Sequence, residues 1–333
     1  MNNDNILVIK DLIVKFPVHG GVFLSKIADI KAVDGVSLEI KDGETLGLVG
    51  ESGCGKSTVG KAIINVLKFN APDVAVSGEV LLKTKDGYVN LVKLKRTEIR
   101  KYRGLVQMIF QDPYSSLNAR MTVSQIVEEP LKYHTNMNKK QRLERVTYIL
   151  EKVGLQAEQM KRYPHEFSGG QRQRIGIARS LSTNPKLIIA DEPVSALDVS
   201  IQAQVINLLQ ELQKDFELSI LFIAHDLSVV EHISSRIAVM YLGNLVEVGD
   251  GHDVYHHPIH PYSKALISAI PLPNPNRRDK ERIILTGDVP TPLRKPSGCG
   301  FRTRCPIAKP ECANAVPPLE QKKPGHFAAC PYV

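Results

Sequence analysis

The chain has 333 residues, 43% hydrophobic and 23% charged, and a formal net charge of +8. A single core stops growing at about 250 to 300 residues, so this length suits one large domain plus a smaller part, and the composition excludes a disordered chain. No apolar run approaches the roughly 18 residues that span a bilayer, and the amino terminus MNNDNILVIK lacks a signal-peptide layout, so the chain is expected to stay in the cytoplasm.

In chain order, the runs ILVIKDLIVKF, VSLEI, ETLGLVG and SGEVLLK alternate with turns and read as strands. GESGCGKST follows TLGLV and comprises Gly50, Glu51, Ser52, Gly53, Cys54, Gly55, Lys56, Ser57 and Thr58. This is the P-loop pattern, in which glycines turn consecutive amides towards phosphate oxygens and the next helix adds its positive end. Lys56 is the candidate for the β- and γ-phosphates and Ser57 for Mg²⁺, while Cys54 reads only as a small side chain.

Residues 112–182 turn helical, with QIVEEPLKY and QRLERVTYILEKVGL spacing apolar residues by three and four, as in a helical subdomain inserted into a sheet. LIIAD and SILFIA then read as parallel strands buried on both faces, and between them Ile201, Val205, Leu208, Leu209 and Leu212 share a helical face. The core is thus expected to be α/β with a mixed, mostly parallel sheet. LIIADEP places Asp191 and Glu192 at a strand's carboxyl end, where α/β proteins bind ligands. Asp191 suits the outer coordination of Mg²⁺, and Glu192 suits polarisation of an attacking water.

Residues 271–333 hold 12 of the 21 prolines, and 11 Lys and Arg against 5 Asp and Glu, so they read as a small, basic, loop-rich appendage to a domain of residues 1–270. Cys299, Cys305, Cys312 and Cys330 lie there, enough thiolates to complete a metal site that would staple a thin core. Their spacing differs from the paired C-x-x-C layout of zinc ribbons, and the prolines after Cys305 and Cys330 are a feature of iron–sulfur ligand segments. His252, His256, His257 and His260 are scattered through a helix-and-turn stretch and read as surface residues rather than nickel ligands.

FSGGQRQR, Phe167–Arg174, falls between the P-loop and the acidic strand. With it the chain resembles the nucleotide-binding subunits of ABC transporters, although Phe167 stands where that family usually has an aliphatic residue. The resemblance implies a P-loop ABC ATPase in which Ser168, Gly169, Gly170 and Gln171 form the signature that serves ATP held by the opposite subunit. It assigns Gln111, after VQMIF, to the loop that senses Mg²⁺ and the membrane subunits, and Ser195, Ala196, Leu197 and Asp198 to the loop that contacts the partner. His225 matches the switch histidine at the γ-phosphate, and Phe16 the aromatic that stacks on adenine. Catalysis would then rest on Glu192, Lys56 and His225, with Mg²⁺ held through Ser57, Gln111 and Asp191. The residues agree in one respect: Ser168 is a good helix cap, so the signature is itself an anion-binding helix start.

QDPYSSLNAR, RYPHEFSGGQRQR, DEPVSALDVS, HPYSKAL and GCGFRTRCP extend the resemblance, over essentially the whole chain, to the ATPases of dipeptide and oligopeptide importers. The resemblance implies ATP-driven peptide uptake at the cytoplasmic face of the cell membrane, with a second identical or related ABC ATPase, two transmembrane permease subunits and an external solute-binding protein, and no nucleic acid. It also implies a 4Fe-4S cluster on the four tail cysteines, with Zn²⁺ as the alternative. Import of nickel or another solute stays open, as does a soluble ABC ATPase of the repair or ribosome type. A simple P-loop kinase leaves FSGGQRQR unexplained.

Overall fold

A computed structural model of the chain describes residues 4–20, 25–270 and 283–333. Up to the acidic strand the elements are β1 (Asn5–Gly20), β2 (Ser25–Lys41), β3 (Thr45–Val49), α1 (Lys56–Ile63), α2 (Leu67–Asn70), β4 (Ala75–Thr84), β5 (Gly87–Asn90), α3 (Arg96–Ile99), β6 (Val106–Ile109), α4 (Pro113–Ser116), α5 (Val123–His134), α6 (Lys139–Lys152), α7 (Gly169–Leu181) and β7 (Leu187–Asp191). There follow α8 (Val199–Phe216), β8 (Ser219–Ile223), α9 (Leu227–Ile233), β9 (Arg236–Tyr241), β10 (Asn244–Asp250), α10 (Gly251–His256), α11 (Pro261–Ser268), β11 (Glu320–Lys323) and β12 (His326–Ala328). They pack as two compact units, one of Met1–Leu7, Ile40–Thr45 and Leu82–Ile223, the other of Val8–Glu39, Leu46–Leu81 and Ala224–Val333.

In the first unit, β6, β7 and β8 run parallel, with Ile109 opposite Ala190 and Asp191 opposite Ile223. Every residue of LIIAD and SILFI is buried, which is why neither strand alternates polar and apolar positions. Helix α8 covers apolar area with Val205, Leu208, Leu209 and Leu212, each worth about 1.5 to 3 kcal/mol when fully buried. The span read as helical holds α4 to α7, and α5 and α6 start with capping boxes at Thr122 and Asn138.

In the second unit, β3 and β9 are parallel and β9, β10, β12 and β11 follow in antiparallel order. The sheet is therefore mixed, as expected. The carboxyl-terminal segment adds to it directly: β12 pairs with β10, Val248 opposite Phe327. A loop-rich reading of that segment missed this hairpin because EQKKPGHFA is too short and polar to show an alternating pattern. Its anchor is Glu247, fully buried on β10, whose Oε1 pairs with His326 Nε2 at 2.7 Å. The same carboxyl group accepts the amides of Ile259 at 2.7 Å and His260 at 2.9 Å, so a buried polar group has three hydrogen-bond partners.

A candidate ATP-hydrolysing site

The phosphate loop lies in the second unit. β3 ends at Val49, and the β3–β9 register brings Gly50 level with Met240. A Cβ on Gly50 would stand 2.1 Å from the Met240 carbonyl oxygen, and Gly50 has φ of 150°, so the loop admits no side chain there. Gly55, the residue before α1, has φ of 108° and would meet the Ala32 carbonyl at 2.1 Å. Lys56 opens the helix and is 4% exposed, its Nζ donating to the carbonyls of Gly50 at 2.7 Å and Glu51 at 3.1 Å. A cation is thus held at the helix start that would receive phosphate. Cys54 is buried, and desolvation pushes its thiol up although Lys56 opposes this, as suits a packing side chain. Ser52 and Gly53 face solvent, while Ser57 and Thr58 are half-buried.

Also in this unit, His225 is exposed at the entry to α9, where Asp226 caps the helix by accepting from the Ser228 amide at 2.9 Å. Phe16 is half-buried on β1. Of the four histidines read as superficial, His252, His256 and His257 are exposed, but His260 is 2% exposed and caps α11 through Nδ1. The proline after it starts that helix and leaves His260 at the cap position, where its ring is buried, which a reading by composition could not see.

The first unit gathers the other family motifs. The β6–β7 register carries Gln111 level with Glu192, and Gln111 Nε2 donates to Glu192 Oε2 at 2.9 Å. Asp191 is 4% exposed at the end of β7, whereas Glu192 is half-buried with φ of 47°. That left-handed backbone costs a non-glycine residue on the order of 1 kcal/mol or more, and such strain persists at functional positions. It is held by the Glu192 amide donating to Ile223 O at 2.9 Å and by Ser195 Oγ donating to Glu192 O at 3.1 Å.

Ser168 caps α7 in a capping box: its Oγ accepts from the Gln171 amide at 3.4 Å, and Gln171 Oε1 accepts from the Ser168 amide at 3.1 Å. A Cβ on Gly169 would stand 3.6 Å from Leu197 Cδ2, and one on Gly170 2.6 Å from Ile201 Cγ2. The signature therefore rests on the loop of Ser195, Ala196, Leu197 and Asp198, with Ala196 and Asp198 exposed. Arg179 of α7 donates to Ser116 O at 2.6 Å, and Arg172 lies 4.1 Å over the Tyr114 ring. One helix thereby ties the signature to the segment after Gln111. Neither arginine was singled out by motif, although FSGGQRQR contains Arg172.

In the second unit the four tail cysteines line one cavity of about 240 Å³, with Phe301, Ile307 and Val316. Burial pushes the Cys299 and Cys305 thiols up. Among the described residues, no group of three or more His, Cys, Asp and Glu side chains is placed to hold a metal ion. The iron–sulfur and zinc expectations thus find shared walls but no ligand geometry. No helix among the described residues is long and apolar enough to cross a membrane.

Residues 33–195 match the family model for ABC transporters, and residues 246–312 match the one for the oligopeptide/dipeptide transporter C-terminal region. The chain is 51% identical over 331 residues to the oligopeptide transport ATP-binding protein AppF of Bacillus subtilis, covering 99% of this chain and 98% of that protein. It is 54% identical over 319 residues to the oligopeptide transport ATP-binding protein OppF of Escherichia coli, covering 95% and 92%. Among solved structures, CbiO1 from Clostridium perfringens, part of the ABC transporter complex CbiONQ, aligns with TM-score 0.62 at 26% identity, over 77% of this chain and 92% of that one. A dimeric post-hydrolysis state of the ATP-binding cassette MJ0796, bound to ADP and Pi, aligns with TM-score 0.60 at 28% identity, over 73% and 98%.

The chain belongs to the ABC transporter family, among its ATP-binding subunits. Its enzymatic activity is accordingly ATP hydrolysis coupled to transport, and ATP with Mg²⁺ are the ligands typical of such ATPases.

Proposed function

We propose that this chain powers the import of di- and oligopeptides, as a peripheral subunit on the cytoplasmic face of the membrane. It would work as a dimer with a second ABC ATPase, docked on two permease subunits that receive peptide from an external binding protein. The reading is carried by one observation: likeness to oligopeptide transport ATP-binding proteins runs through the cassette and on into the tail, which a shared motor alone would not require.

In the proposed reaction, Glu192 takes a proton from water while the water oxygen attacks the γ-phosphorus and the bond to the ADP oxygen breaks. Gln111 orients the Glu192 carboxylate through the 2.9 Å bond. Lys56 and His225 stabilise charge on the transferring phosphoryl group, Phe16 stacks on adenine, and Ser168 with Gly169 and Gly170 contacts nucleotide held by the partner. Ser57 and Gln111, with Asp191 in the outer coordination, are the residues that would hold Mg²⁺, and the ion would supply neutralisation of charge on the β- and γ-phosphates.

The tail cysteines are proposed to hold a 4Fe-4S cluster with a structural role. Four thiols around a single cavity suit a multi-atom group, whereas a lone Zn²⁺ would need them converging on a point. Protein purified without oxygen should contain iron and sulfide and be brown; stoichiometric zinc in a colourless protein would overturn the cluster. For the transport reading, cells lacking this chain should regain growth on an essential amino acid supplied as tripeptide when given the wild type, and not when given K56A. Restored nickel uptake without peptide uptake would reject peptide as the substrate.

A further inference from the structure

The second unit joins the phosphate loop to the cysteine segment through side chains that the reaction above does not use. Arg304, one residue before Cys305, is 9% exposed, and its Nη1 lies 3.1 Å from Glu51 Oε1 and 3.0 Å from Glu51 Oε2. Glu51 is fixed at two other points. Its amide donates to the buried Tyr262 Oη at 2.9 Å, and its carbonyl accepts from Lys56 Nζ at 3.1 Å. Tyr262 packs against Tyr241 and Phe301, with ring centroids 4.6 and 5.4 Å away, and the Tyr241 hydroxyl neighbours the Arg304 guanidinium.

The segment that delivers Arg304 is itself tightly specified. Cys299 N donates to Cys312 O at 2.8 Å, Arg302 N to Cys299 O at 3.1 Å, and Arg304 N to Phe301 O at 2.9 Å. Two successive turns thus send Phe301, 1% exposed, into the core and Arg304 towards the phosphate loop. A half-buried carboxylate in a loop built to receive triphosphate would repel that ligand unless it were neutralised. Arg304 supplies the neutralising charge and fixes the side-chain end of the residue whose carbonyl holds Lys56.

We propose that Arg304 is a positioning residue for nucleotide binding: by clamping Glu51 it holds the phosphate loop in its binding conformation, and it makes nucleotide affinity depend on the cysteine segment. The inference rests on the assignment of Gly50–Thr58 as the ATP-binding loop. Arg304 does not touch the reacting atoms, so its loss acts on affinity and leaves turnover at saturating ATP nearly intact.

The test is titration of the full chain with a fluorescent, non-hydrolysable ATP analogue and Mg²⁺, beside steady-state kinetics of the assembled transporter. R304A is expected to weaken analogue binding about tenfold, or about 1.4 kcal/mol, and to raise KM for ATP with kcat within twofold. R304K should recover part of the loss. The double variant E51A/R304A should bind no worse than the weaker single variant, because both remove one contact. Should R304A fail to fold, R304K carries the same expectation at about threefold. Affinity within twofold of wild type in the folded variants, losses that multiply in the double variant, or a fall in kcat with unchanged KM would each overturn the clamp. Wild-type protein that fails to bind the analogue, or K56A that binds it normally, would instead reject the loop assignment.

Discussion

Lys56 lies buried behind two loop carbonyls, and its neighbour Glu51 is gripped from three sides, whereas Gln111, Ser168 and Asp198 are exposed at the ends of their elements. The phosphate loop of the second unit is anchored on buried Cys54 and Lys56, with Ser52 and Gly53 at its tip facing solvent. The signature face of the first unit is built as a surface, and the left-handed Glu192 is held there by hydrogen bonds rather than by burial. Binding of phosphate needs fixed donors, while residues that must meet another subunit have to remain accessible. The contrast predicts that breaking the clamp around Glu51 appears as lost affinity, and changing Glu192 as lost turnover.

The largest expected effect on stability tests the fastening of the second unit. H326A leaves buried Glu247 short of one of its three hydrogen-bond partners, and leaving a buried polar group without a partner costs about 1 to 3 kcal/mol. Denaturant unfolding measures it; a loss below about 1 kcal/mol would mean that the tail hairpin is not anchored there. In the first unit, G170A pushes a Cβ onto Ile201, where overpacking costs about 1 to 3 kcal/mol and the helix gains about 1 kcal/mol from alanine. I201A added to G170A should recover the loss, and G169A, with only an ordinary contact at 3.6 Å, should cost nothing in stability. Equal effects at the two glycines would break the packing explanation.

Another effect is a pH slope. Burial, with help from Lys264, lowers the His260 pKa from its usual 6.5 to about 4. Between those values the unfolded chain binds a proton that the folded chain refuses, so stability rises with pH across this window, by at most about 1.4 kcal/mol per unit. H260N keeps a capping oxygen and removes the proton site. The difference between wild-type and variant unfolding free energies should therefore change from pH 4 to 6.5 and level off above; a difference independent of pH would contradict neutral burial of His260.

Much of the first unit was legible because its signals are local. LIIAD and SILFIA announce buried parallel strands, and SGGQ announces a capped helix. The Gln111–Glu192 contact followed from register, which sequence alone does not print. In the second unit GESGCGKST revealed the loop, but Arg304 and Tyr262 sit 253 and 211 positions from Glu51, and no periodicity links residues so far apart. The β12–β10 pairing and the inward turn of His260 were hidden for the same reason: each depends on a partner brought in by the fold.

The division of labour between the two regions is tested most directly at Glu192. E192Q should bind the ATP analogue with wild-type affinity while peptide-coupled hydrolysis in the assembled transporter falls by about 10² to 10⁴-fold. Wild-type turnover in E192Q, or loss of nucleotide affinity in place of turnover, would contradict the assignment of binding to one region and water activation to the other.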